Sequence, residues 1–286
     1  MRLSIAARIR KRVQEVLEYS IYHLRSWRAS LNRKPLPELS PVQAGIVEAL
    51  ATRGYAAVSI DEIFTDKAEV DRLKADLEAG YAAHRQSPDT LAAEARYREG
   101  GSTRKEYLAM SHKNNAPIRA SDPLLRFCSA PAVQAPLTAA LGGQPRLSAV
   151  SYWTTFPATQ EQRTGSQNWH RDHEDRRLIK IFIYLNDVGK DGGPTEYIDG
   201  TYFGGPQDVI PSKRRFVFGD YLTENELQQH GLLAHRHALT GLKWTVVFAN
   251  TSGIHRGGFG ANERAMVNIT FTSQASQFPV RFTLDT

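Results

Sequence analysis

Cysteine is almost absent: Cys128 is the only one in 286 residues. No intrachain disulfide can form, and no cysteine-based zinc site can be built. A reducing, cytoplasmic setting is the expectation that follows. Long apolar runs are missing as well. No stretch of about 18 apolar residues occurs, so no segment reads as a membrane-spanning helix. The N-terminus also lacks the continuous apolar core of a secretion signal. Neither internal repeats nor low-complexity tracts are present, which argues against solenoids and fibrous arrays. Acidic residues are scarce in one place only. Residues 1–34 hold nine Lys/Arg and two acids, Glu15 and Glu18, a balance of 9 − 2 = +7. The whole chain carries +6, so the remainder sums to 6 − 7 = −1. A nucleic-acid enzyme spreads basic charge around its groove. Here the basicity belongs to an arm, and no nucleic-acid partner is expected.

What is present suits one large globular domain, with 41% hydrophobic and 23% charged residues. In the arm, Ile9, Val13, Val16, Leu17, Ile21, Leu24, Trp27 and Leu31 recur at three- and four-residue steps, the period of an amphipathic helix. Two readings stand. The helix packs on the domain or on a second subunit, or it lies on an anionic membrane surface and brings the protein to the inner membrane as a peripheral contact.

Pro35 and Pro37 end the arm at about residue 34. Ser40-Pro41 then reads as a helix cap with a first-turn proline, Gly54 as the stop of that helix, and Tyr55–Ile60 as a strand. A helix is expected from Asp66 to about His84, irregular chain over 86–120, and one helix over 123–141. From residue 145 short β-rich runs take over: Leu147–Phe156, Leu178–Leu185, Phe216–Phe218, Trp244–Phe248, Met266–Thr272 and Val280–Leu284. The expectation is a mainly β fold with flanking helices, a single domain over 35–286, helical over 35–144 and with its β core over 145–286. A β-sandwich, jelly roll or small barrel fits such a core.

His170-Arg171-Asp172 places an imidazole and a carboxylate two residues apart, on one side of an extended chain. Such pairs are common and mostly bind nothing. A second histidine, His255, follows the apolar run Trp244–Phe248 and a turn. Two histidines and a carboxylate leave open positions on an octahedral iron, the arrangement that oxygen chemistry at non-haem Fe(II) requires. Nine residues after His255, Arg264 opens another apolar run, where an arginine facing a cavity can clamp a carboxylate with two parallel hydrogen bonds.

His170-x-Asp172, His255 and Arg264 together resemble the motif of the phytanoyl-CoA dioxygenase family of Fe(II)/2-oxoglutarate oxygenases. The stretch Leu185–Thr201, with Gly192-Gly193-Pro194 and Gly200-Thr201, is similar to that family's region after the third core strand, and Gly54-Tyr55 resembles its entry into the fold. The resemblance covers roughly residues 41–275. It implies a double-stranded β-helix (jelly-roll, cupin-like) core with an N-terminal helical region. It also implies His170, Asp172 and His255 as ligands of Fe(II), Arg264 as the clamp on the co-substrate 2-oxoglutarate, and O₂ as oxidant. Hydroxylation of an unactivated C–H, with succinate and CO₂ formed, is the implied reaction. Halogenating relatives lack the carboxylate that Asp172 supplies. Tyr202 departs from the pattern, standing where the family commonly has histidine.

Two further residues are candidates for binding co-substrate or substrate. Tyr152, with Trp153, lies on the strand before His170. Lys180 interrupts an apolar strand and faces inward or outward according to its phase. His230, His235 and His237 lie in a polar stretch and are expected to face solvent. A small-molecule or lipid-linked substrate is the partner expected. The competing reading is a non-catalytic jelly-roll domain that binds a ligand or sugar.

Overall fold

The computed structural model describes residues 36–85, 108–110, 116–157, 163, 165–210 and 221–285, together with Val13, Leu17, residues 20–25, Trp27 and Arg28 of an N-terminal helix. Most of the arm, much of 86–120 and the expected strand Phe216–Phe218 lie outside the described residues.

Helix α1 (Pro41–Thr52) begins in a reciprocal cap: the Ser40 hydroxyl accepts from the Gln43 N–H, and the Gln43 side chain accepts from the Ser40 N–H. Gly54, at φ 93°, turns the chain into β1 (Tyr55–Ser59). A one-turn helix, α2 (Ile60–Ile63), leads to α3 (Lys67–His84), which Asp66 caps through two backbone N–H groups. The helix expected over 123–141 is two helices, α4 (Pro123–Ser129) and α5 (Pro131–Leu141). They part at Ala130, extended at ψ 133° because the ring of Pro131 disfavours a helical residue before it. Two short strands, β2 (Leu108–Met110) and β3 (Ala116–Arg119), lie where irregular chain is expected.

The later elements are β4 (Arg146–Thr155), β5 (Leu178–Tyr184), β6 (Glu196–Ile198), α6 (Glu224–Gln229), β7 (Arg236–Ala238), β8 (Thr245–Ala249), β9 (His255–Arg256), β10 (Arg264–Thr272) and β11 (Phe282–Asp285). An antiparallel six-stranded sheet has the order β1-β8-β5-β10-β4-β2, so the N-terminal half supplies both of its edges. A three-stranded sheet has the order β7-β6-β9, and β11 pairs with β3 in parallel. The architecture is the jelly roll.

Both faces of the large sheet are buried, by different partners. Ile179, Ile181 and Ile183 of β5 join Val267 and Ile269 of β10 and the apolar sides of α1, α3, α4 and α5. Fully burying a side chain of this size stabilises by about 1.5–3 kcal/mol, which makes this helix-covered face the main core. The alternate residues Phe182, Tyr184, Val247 and Met266 pack toward Tyr197 of the small sheet. That inner space is where a two-sheet fold places its ligands. Among the described residues, no helix is long and apolar enough to cross a membrane.

Candidate metal centre

His170 and His255 form an antiparallel bridge, each N–H donating to the other's carbonyl at 2.9 Å. Two residues on, the Asp172 N–H donates to the Thr251 carbonyl at 2.8 Å. Alternation sends His170 and Asp172 to one side of the extended chain, toward His255. One ligand atom from each of the three residues lies within 4.8 Å of the others, the one such group among the described residues.

Neighbouring side chains hold this bridge shut. The Arg256 guanidinium lies 4.2 Å from the ring centroid of buried Trp169 and pairs with Glu196 and Glu224. Arg171 projects the opposite way from its neighbours. It donates to the Thr201 and Ser252 carbonyls and pairs with Asp208 at 2.9 Å. The turn before His255 and the loop after β6 are thereby tied to the His-x-Asp segment.

The donor set suits a cation. The Nδ1 of His170 lies 2.8 Å from the Asn168 carbonyl, and that of His255 lies 2.9 Å from the Gly253 carbonyl. A carbonyl only accepts, so each Nδ1 carries the proton and each Nε2 keeps its lone pair. The Nε2 of His170 then faces Asp172 Oδ1 at 3.7 Å, and the Nε2 of His255 faces Asp172 Oδ2 at 3.4 Å. Three acceptors converging at these distances match a metal between them. Burial and then the neighbouring His255 push the His170 pKa down to about 3, which keeps its imidazole neutral and able to ligate. Burial alone would raise the Asp172 pKa, but its neighbours, the Lys180 ammonium foremost, hold the carboxyl well below the usual range.

Lys180 faces inward. Its Nζ lies 2.7 Å from Asp172 Oδ2 and 3.0 Å from Glu174 Oε1, in a setting where the three side chains are 9–15% exposed. Burial would lower the Lys180 pKa, and the two carboxylates more than reverse that. Glu174 was not among the sequence candidates, although the alternation 170, 172, 174 signals it. Arg264 is 4% exposed and donates to the Gly193 carbonyl at 2.5 Å. Gly193, at φ 61°, and Gly258 are in backbone contact there: a Cβ on Gly258 would lie 1.7 Å from the Gly193 oxygen. The glycines let the two backbones meet, and the meeting aims that carbonyl at Arg264. On β10, Arg264 shares its face with Thr270, the register partner of Lys180. Six residues, about 20 Å of strand, separate them. That is the separation of their positions on the strand; the Arg264 guanidinium itself meets the Gly193 carbonyl beside Gly258, three residues beyond His255.

Tyr152 is not brought to this space. It packs beneath α3, its ring stacked 5.7 Å from that of His84, on the helix-covered face. Trp153 takes the inner face instead, against Met266. His230, His235 and His237 are exposed, and His237 lies 3.3 Å from Asp199. Tyr202, the departure from the family pattern, donates to the Ala51 carbonyl. Tyr221, 46% exposed, sets its ring 6.3 Å from that of His170 at the rim.

The family model for phytanoyl-CoA dioxygenase (PhyH) matches residues 51–232, more than half of the chain. The chain belongs to the phytanoyl-CoA dioxygenase family. The matched span includes His170 and Asp172 and ends before His255 and Arg264. No curated protein sequence matches the chain. Among solved structures, similarity extends to EctD from S. alaskensis with 2-oxoglutarate and 5-hydroxyectoine, at 16% identity and TM-score 0.51, covering 89% of this chain and 91% of that one. It also extends to the epimerase SnoN from nogalamycin biosynthesis, in complex with Fe3+, alpha ketoglutarate and nogalamycin RO, at 14% identity and TM-score 0.52, covering 81% and 84%. The non-heme alpha ketoglutarate dependent carbocyclase SnoK matches at 16% identity and TM-score 0.50, covering 84% and 86%. At these identities the likeness is one of fold, and it agrees with the jelly roll described above. Phytanoyl-CoA dioxygenase membership makes Fe(II)/2-oxoglutarate-dependent oxygenase chemistry the general class of this chain.

Proposed function

We propose that this chain hydroxylates an unactivated C–H of a small molecule or a lipid- or glycan-linked substrate: R–H, O₂ and 2-oxoglutarate give R–OH, succinate and CO₂. The observation that carries the reading is the convergence of His170, Asp172 and His255, with their ligand atoms within 4.8 Å. These three residues would hold the iron. Bound Fe(II) supplies the site at which O₂ is reduced by 2-oxoglutarate and turned on the substrate. The chain's part is orientation. The carbonyls of Asn168 and Gly253 fix both imidazoles with Nε2 forward. Lys180, itself held by Glu174, pins one oxygen of Asp172, so that its carboxylate presents a single edge to the metal. Lys180 acts here through Asp172, and Arg264 would receive the far carboxylate of 2-oxoglutarate. Phe182, Tyr184 and Trp153 line the apolar wall between.

The presence of Asp172 favours hydroxylation over halogenation, because the carboxylate occupies the position a halide would need. SnoN is an epimerase and SnoK a carbocyclase on a similar fold, so product chemistry is the informative readout. Under ¹⁸O₂, the reading predicts one labelled oxygen in the product and one in succinate per turnover. A product without label, with succinate still formed, would contradict hydroxylation. Absence of 2-oxoglutarate turnover with any substrate, and no binding of Fe(II), would favour the non-catalytic ligand-binding domain.

A further inference from the structure

Among the described residues of the N-terminal helix, Tyr22 is the buried one. Tyr22 is 9% exposed and lies beneath the Arg176 guanidinium, 5.4 Å from its ring centroid. Arg176, four residues from Asp172, also covers the Phe203 ring at 4.8 Å. The helix is thus docked against the segment that follows His170 and Asp172. Its other side carries Val13, Leu17, Leu24 and Trp27, which are 51–62% exposed. At 3.6 residues per turn these four positions fall on one stripe, roughly 180° around the helix from Tyr22. The exposed residues Arg25 and Arg28 are on the same helix, within an arm of nine basic and two acidic residues.

We propose that this helix lies on an anionic lipid surface, with the Val13–Leu17–Leu24–Trp27 stripe in the acyl boundary and the arginines at the headgroups, and that it holds the domain at the bilayer. Charge complementarity selects this occupant. A second copy of the arm would set +7 against +7. A nucleic acid would use the arginines and leave the apolar stripe in water. An anionic bilayer uses both. Phe203, which Arg176 also covers, is a further apolar ring in reach of water, at 40% exposure.

The test is co-sedimentation of the full chain with vesicles of neutral phosphatidylcholine and of phosphatidylcholine mixed with phosphatidylglycerol. Binding is expected only with the anionic lipid, and it should weaken as salt is raised. The double variant Arg25→Gln/Arg28→Gln should bind about 30-fold more weakly, and Leu17→Glu/Leu24→Glu should not bind. All four positions are exposed, so melting temperatures should stay at the parent value. Equal sedimentation of parent and both variants would overturn the proposal. So would a parent dimer in the absence of vesicles that Leu17→Glu/Leu24→Glu converts to monomer, since the stripe would then be a contact between copies.

Discussion

Replacing Lys180 with methionine keeps the length of the side chain and removes its charge. In the parent, that charge lies 2.7 Å from Asp172 and 3.0 Å from Glu174, and none of the three side chains is more than 15% exposed. Removing one partner of a buried ion pair leaves the other desolvated and uncompensated, a loss of about 3–5 kcal/mol. For a domain of this size each kcal/mol lowers Tm by roughly 2–4 °C. The metal-free variant should therefore melt roughly 6–20 °C below the parent. Fe(II) would return positive charge beside the same carboxylates, so saturating metal should raise the variant's Tm by more than it raises the parent's. Lys180→Arg, which restores the charge, should recover most of the loss. Differential scanning calorimetry of both metal states reads all of this. A metal-free Lys180→Met protein melting within a degree of the parent would refute the role assigned to Lys180.

Two further outcomes follow from the geometry. Arg264→Gln removes a charge-assisted clamp worth about 1.5–3 kcal/mol, so KM for 2-oxoglutarate should rise roughly 10- to 150-fold, with Fe(II) affinity unchanged; an unaltered KM would remove Arg264 from co-substrate binding. His170, with its pKa pushed down to about 3, stays neutral in the folded metal-free protein, while the unfolded chain takes up the proton near histidine's ordinary value of 6.5. Unfolded protein then binds more protons as pH falls, so stability declines below pH 6.5 by up to about 1.4 kcal/mol per unit from this group. Urea titrations of the metal-free parent and of His170→Gln between pH 6.5 and 5 should differ by that slope, and parallel curves would contradict it.

The parts of the fold that carry strong local chemistry were legible in the sequence. Ser40-Pro41, Gly54 and Asp66 are capping and stop signals, and the helices start and end on them. The grouping of His170, Asp172 and His255 was legible through ordered spacing. The remainder was hidden for identifiable reasons. Strands β2 and β3 span three and four residues and owe their existence to β4 and to the distant β11. The break at Ala130 was visible in Pro131, but apolar residues on both sides continue the helical period. Strand phase was ambiguous because both faces of the large sheet are buried. Alternation alone therefore could not say that Trp153 rather than Tyr152 faces inward, nor on which face Lys180 lies. Arg171 and Arg256 find their partners 30–81 residues away, distances at which no local pattern operates.

The central claim, that His170, Asp172 and His255 hold an iron to which 2-oxoglutarate binds, is tested most directly by anaerobic titration of the purified protein with Fe(II) and 2-oxoglutarate, followed by visible absorption. A metal-to-ligand charge-transfer band should appear, saturate at one equivalent of iron, and be lost in Asp172→Ala and His255→Ala. No band in the parent, or a band undiminished in either variant, would contradict the assignment.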